Sequence, residues 1–195
     1  MILGSHNTLT YSKPRKWYMK LFAWTARCQS KKLVEQYNTG ARLFDFRFVF
    51  NNEEPIIAHG FMEFDITALQ LDYIFMFLDV KSKREICWVR IINEQNKNKD
   101  IFIKFCETIK HKYPNIKFYG GRNKKDWRVL YDFGYGEPKV IDKYSSQNND
   151  VFKGKHNGSG WYWDDLWPWL YAKLNNKKWK ERYKDQDVYL MQDFI

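Results

Sequence analysis

The stretch NTGARLFDFRFVF, residues 38–50, alternates two kinds of side chain. Phe44, Phe46 and Phe48 fall on one side, and Leu43, Asp45 and Arg47 on the other, the period-two pattern of a β-strand. Gly40 stops the preceding helix, KKLVEQYN, in which Leu33, Val34 and Tyr37 recur at helical spacing. An acid and an arginine on one face of an apolar strand do not simply meet an apolar core. Either they line a polar interior or they form a buried ion pair.

Working outward, MIL (1–3) is a short strand candidate, and PIIAHG (55–60) returns after a polar turn as a strand ending on His59. ITALQLDYIFMFLDV (66–80) and DIFIKFCETIKHKY (100–113) read as helices. EICWVRII (85–92), NIKFYGG (115–121), WRVLYDFG (127–134), PKVIDKY (138–144) and DVYLMQDFI (187–195) read as strands, and a tryptophan-rich helix is expected from about Trp163 to Leu174. Strands alternating with helices imply an α/β protein with a mostly parallel sheet. Seven or eight short strands in 195 residues suggest a single domain over 1–195. Its expected form is a compact, incomplete or irregular (β/α) barrel of the TIM type. A doubly wound open sheet is the alternative.

Aromatics make up 19% of the residues, so the bulk of the chain should fold rather than stay disordered. A net charge of +10 favours an anionic partner: nucleic acid, a phosphorylated ligand or an acidic lipid surface. Part of that charge sits in local lysine pairs, such as Lys31-Lys32 and Lys177-Lys178, which also suit solvated helix ends and loops. Cys28, Cys87 and Cys106 are odd in number and widely spaced, as expected of reduced thiols. No apolar run reaches the roughly 18–20 residues of a membrane span. With no signal-peptide pattern at the N-terminus, a soluble chain without an export signal is expected, cytoplasmic or peripheral at a membrane.

Four polar features stand out against this scaffold: His6 after the first strand, Asp45 with Arg47 on the second, His59, and Asp193 in the last. A closed barrel makes its first and last strands neighbours, which would bring Asp193 to His6. A carboxylate beside an imidazole fixes its tautomer and suits it to act as a base. His59 could then serve as the acid, and an arginine between them offers a planar fork for phosphate oxygens. Each histidine alone also suits a capping or structural role.

At these residues the sequence resembles the catalytic domain of phosphatidylinositol-specific phospholipase C, most of all the bacterial enzymes. LGSHNTLT (3–10) resembles the family's first-strand motif, NTGARLFDFR (38–47) its second, and EPIIAHG (54–60) the segment with the second catalytic histidine. VIDKY (140–144) resembles the inositol-binding strand, and LMQDFI (190–195) the last strand with its aspartate. The resemblance implies His6 as general base, Asp193 as its orienting partner, Arg47 with Asp45 at the phosphate and His59 as general acid. It also implies Asn7, Arg90, Arg122, Asp142 and Tyr144 as substrate-binding residues. The implied product is a cyclic inositol phosphate, released with diacylglycerol by attack of the substrate's own 2-hydroxyl.

Asn7 stands where the bacterial enzymes carry an aspartate and matches the calcium-dependent eukaryotic branch instead. Arg47 occupies the place of one calcium-binding carboxylate of that branch, and Arg90 lies near another. Cations there would repel the ion, so the resemblance implies a metal-independent site without cofactors. The chain begins at strand one, so the helix that covers the bottom of the family's barrel is expected to be absent. The implied partner is an inositol phospholipid or related lipid phosphodiester at a membrane surface, not nucleic acid. Trp161, Trp163, Trp167 and Trp169 could touch that lipid or pack the closing helix on the barrel. Two other functions stay open: a metal-dependent glycerophosphodiesterase or sphingomyelinase D relative, and a catalytically silent module binding anionic lipid.

Overall fold

Strand β2, Ala41–Asn51, carries the alternation into space. In the computed structural model Phe44, Phe46 and Phe48 turn to one face and are fully buried, while Leu43 and Asp45, also fully buried, and Arg47, nearly so, occupy the other. The structure describes residues 1–51, 54–95, 97–120, 131–145 and 167–195. Among the described residues six strands lie parallel in the order β6-β5-β2-β1-β8-β7. They are β1 (Ile2–Ser5), β2, β5 (Trp88–Asn93), β6 (Lys117–Tyr119), β7 (Val140–Asp142) and β8 (Tyr189–Gln192).

The last strand lies beside the first, pairing Leu3 with Leu190 and Ser5 with Gln192. A doubly wound sheet would set an intermediate strand there, with later ones following outward. Here the order instead runs round a curled sheet, an incomplete (β/α) barrel, and no pairing joins β6 to β7 among the described residues. Past the point where β1 ends, β2 pairs antiparallel with β3 (Glu54–His59), Phe48 against Ile57. β3 in turn pairs with β4 (Met62–Glu63), a two-residue strand without a sequence signal. This hairpin folds back at the C-terminal end of the parallel strands, the end at which (β/α) barrels build their sites.

The outward phenylalanines pack under two helices. α3 (Ala68–Ser82) starts on Thr67, whose hydroxyl accepts the Gln70 N–H at 3.2 Å while Gln70 returns a bond to the Thr67 N–H at 2.9 Å. Phe46 meets Phe75 of α3 at 5.5 Å between ring centroids, and Phe48 meets Phe105 of α4 (Lys99–Lys112) at 5.0 Å. Each such ring contributes about 1.5–3 kcal/mol by leaving water. Two shorter helices, α1 (Ala23–Ala26) and α2 (Leu33–Asn38), lie between β1 and β2 in the chain. Gly40, at φ +97°, ends α2 in a conformation few other residues adopt.

Two expectations need correction. Tyr131–Gly134, the described part of WRVLYDFG, is not strand; residues 127–130 lie outside the described residues. Phe133 is apolar because it stacks on Phe118 in the core, at 5.4 Å and 26°. The closing helix α5 runs Pro168–Tyr183, well past Leu174. Its second half shows only sparse apolar residues, yet Asn175 and Trp179, one turn apart, are buried. The three cysteines are free and buried, and none of the described helices is long and apolar enough to cross a membrane.

Candidate active site

His6 follows β1 and is buried. Its Nδ1 lies 2.6 Å from Asp193 Oδ1, just beyond β8. Its Nε2 faces two donors, Arg47 Nη2 at 2.8 Å and Asn7 Nδ2 at 3.1 Å. Two donors at Nε2 fix the ring proton on Nδ1, where Asp193 accepts it. The second carboxylate oxygen of Asp193 accepts the N–H and the hydroxyl of Ser145, each at 2.9 Å. Burial, then the Arg47 charge, holds His6 well below an ordinary imidazole, so Nε2 carries a free lone pair at neutral pH. Burial also pushes Asp193 up to about 7, against the two Ser145 bonds.

Asp45 is a fully buried anion between two guanidinium groups. Oδ2 accepts Arg47 Nε at 2.9 Å and Oδ1 accepts Arg90 Nε at 2.7 Å. Burial alone would raise its pKa, but Arg47 and Arg90 together hold it well below the usual carboxylate range. Burial likewise opposes both arginine charges. Asp45 and Glu94 keep Arg47 protonated, and Asp45 and Asp142 keep Arg90 so. Asn7, at φ +45°, donates its backbone N–H to Asp45 Oδ2 at 3.1 Å. Thr8 ties the same turn to β2, since its hydroxyl accepts the Asp45 N–H at 2.9 Å and donates to the Ser5 carbonyl at 2.9 Å.

The β3 end brings His59 toward His6, ring centroids 5.9 Å apart and nearly perpendicular. Its Nδ1 donates to the Ala26 carbonyl at 2.8 Å, which leaves Nε2 as the atom available to a ligand. Burial lowers its pKa, with Glu94 opposing. On the other flank, Arg90 Nη1 reaches Asp142 at 3.4 Å. The Tyr144 ring lies flat on His6 at 3.5 Å and 4°, covering one face of that imidazole. Arg122, Trp161 and Trp163 lie outside the described residues.

Other groups at the site escaped the sequence reading. Glu94 meets Arg47 Nη1 at 3.4 Å with Oε2 and accepts the Gly60 N–H at 2.8 Å with Oε1. Its signal was present, since 90, 92 and 94 share a parity along β5 and its continuation. Ser145 and the buried Gln29 had none; Gln29 Nε2 caps the carbonyls of His6 and Gln192 at 3.0 and 3.1 Å. Cys28 lies beside His59 and the Asn7 amide, with Sγ 3.6 Å from His59 Nδ1 and 3.7 Å from Asn7 Nδ2.

His6, Cys28 and Asp193 bring three potential metal-binding atoms within 4.8 Å of one another. The donor set does not suit an ion. Burial and Asp193 push the Cys28 thiol well up, and both Asp193 oxygens are already engaged by His6 and Ser145. Both Asp45 oxygens are held by arginines.

Over 99% of its length the chain superposes on phosphatidylinositol-specific phospholipase C from Listeria monocytogenes, with a TM-score of 0.65, 17% identity and 87% of that chain covered. This is the phosphatidylinositol-specific phospholipase C fold. The Staphylococcus aureus enzyme gives a TM-score of 0.63 at 13% identity, again over 99% of this chain and 85% of the other. No family model and no curated protein matches the sequence. In this fold residues from β2, β5 and β7 and from just beyond β1 and β8 meet in one polar cluster, in which Arg47 contacts His6, Asp45 and Glu94.

Proposed function

We propose that residues 1–195 form one phospholipase C-like catalytic unit that cleaves phosphatidylinositol or a related inositol lipid by intramolecular attack. One observation carries this reading: His6, oriented by Asp193, presents a bare Nε2 to the guanidinium of Arg47. A phosphodiester would take Arg47 Nη2 from His6, freeing Nε2 for the substrate hydroxyl. The inositol 2-hydroxyl gives its proton to Nε2 as its oxygen bonds to phosphorus. The bond from phosphorus to the glycerol oxygen breaks, and His59 supplies the proton that oxygen needs. The products are a cyclic inositol phosphate and diacylglycerol, and joining nucleophile and phosphate in one molecule supplies the proximity. Arg90 with Asp142 would receive inositol hydroxyls, with Tyr144 moving off His6 to stack on the sugar.

No step uses a metal ion, in keeping with arginines on both Asp45 oxygens. Contact with a bilayer is supported by the 3₁₀ turn Trp17–Phe22, where Trp17 and Leu21 are 77% and 74% exposed. Beside it lies a groove of about 570 Å³ lined by Lys13, Lys20, Arg27, Trp24, Trp167 and Trp169. The Staphylococcus aureus protein is itself described by its membrane binding.

The test is phosphatidylinositol vesicles in chelator, with products read by ³¹P NMR. Wild type should release cyclic inositol phosphate, and His6→Ala or His59→Ala should abolish it. A requirement for added divalent ion would remove the metal-free mechanism. Vesicle binding without product, surviving both substitutions, would leave a silent lipid-binding module.

A further inference from the structure

The proposed reaction needs one imidazole to accept a proton and the other to donate, yet the two rings, His6 buried and His59 half-buried, share one cluster. Something must make them unequal. Arg47 presses Nη2 on the His6 ring at 2.8 Å, which disfavours a second proton there. His59 faces Arg47 and Asp45 from β2, Glu94 beyond β5, His6 beyond β1, the Ala26 carbonyl at the end of α1, and Cys28 just after it. Among these, Glu94 is the strongest influence favouring a charged ring, and Arg47 opposes it.

Glu94 is also fastened in place. Its N–H donates to the Phe48 carbonyl at 2.8 Å, Oε2 meets Arg47, and Oε1 accepts the N–H of Gly60, the residue after His59. We infer that Glu94 is a positioning residue that clamps the turn carrying His59 to Arg47 and makes His59 the proton donor of the pair. This rests on the reaction proposed above. Asn7 is neutral, so the charge that separates the two histidines comes from this carboxylate rather than from the turn after β1.

The experiment titrates the imidazoles of the whole protein, free of substrate, by NMR, with His59 assigned from a His59→Gln variant. Glu94→Gln keeps an oxygen for the Gly60 N–H and removes the charge. It should lower the His59 midpoint by about one pH unit. The basic limb of kcat/KM for phosphatidylinositol cleavage should move down with it, because that limb marks loss of the donor proton. Glu94→Asp retracts the carboxylate by one methylene and should give a smaller shift in the same direction, which also serves if Glu94→Gln does not fold. An unmoved His59 midpoint in a folded variant overturns the proposal, as does a uniform loss of activity with the limb in place. If the midpoint shifts but wild type cleaves no phosphatidylinositol, the clamp stands and the reaction falls. If wild type cleaves and no midpoint shifts, the reaction stands and the clamp falls.

Discussion

Asp193 reaches His6 across the seam between the last strand and the first, Oδ1 to Nδ1 at 2.6 Å, although 187 residues separate them in the chain. The bond fixes which ring nitrogen is bare. Asp193→Asn would present an amide N–H to Nδ1, while its carbonyl keeps the Ser145 bonds. The ring proton would move to Nε2 and the base would be lost. Activity should fall by about 10²–10⁴-fold with the circular dichroism spectrum unchanged, the range general base catalysis supplies. Retention of wild-type kcat would remove the dyad from the mechanism.

The pH dependence follows from the two rings. A base must be neutral and so works above its pKa, whereas an acid must be charged and works below its own. Both histidines are depressed, His6 more strongly, chiefly by burial. Asp193, pushed up to about 7, must also be ionised to accept the His6 proton, so the acid limb belongs to that pair, while the basic limb, where His59 loses its proton, lies below 6.5. The bell-shaped kcat/KM profile should therefore be narrow and peak below pH 7. A maximum above pH 7.5 would contradict this assignment.

Arg47 joins Asp45, Glu94 and His6. Arg47→Ala leaves Glu94 without this ion pair and Asp45 with one arginine fewer, so urea denaturation should show a loss of about 3–5 kcal/mol. Arg47→Lys restores a charge but not the planar fork. It should recover much of the stability and little of the activity, a split that separates the phosphate-binding role from the structural one.

Gly4 sits at a tight point of the seam. A Cβ there would sit 3.2 Å from Met191 Cα and 3.3 Å from Leu43 Cδ2. Gly4→Ala should cost about 1–3 kcal/mol, because backbone must give way. Activity should drop with stability, since the same displacement moves His6 from Asp193. A fully active, equally stable Gly4→Ala protein would show the seam to be looser than this.

How much of this was legible in the sequence depended on range. The β2 alternation was readable because period two is local, and it placed Asp45 and Arg47 away from the phenylalanines. The meeting of His6 with Asp193 was readable through topology alone. Ser145, Gln29 and Cys28 were not, because each is fixed by partners far along the chain that no periodicity announces. WRVLYDFG misled for the opposite reason, since Phe133 is buried by stacking while residues 131–134, its described part, make no ladder.

The seam also has a use. Because His6 and Asp193 come from opposite ends of the described chain, a cut in any connection between β1 and β8 leaves each fragment with half of the pair. By the proposed mechanism neither piece alone turns over substrate, so recovered turnover would count reunited halves, making the barrel a split reporter of whatever brings two fused partners together.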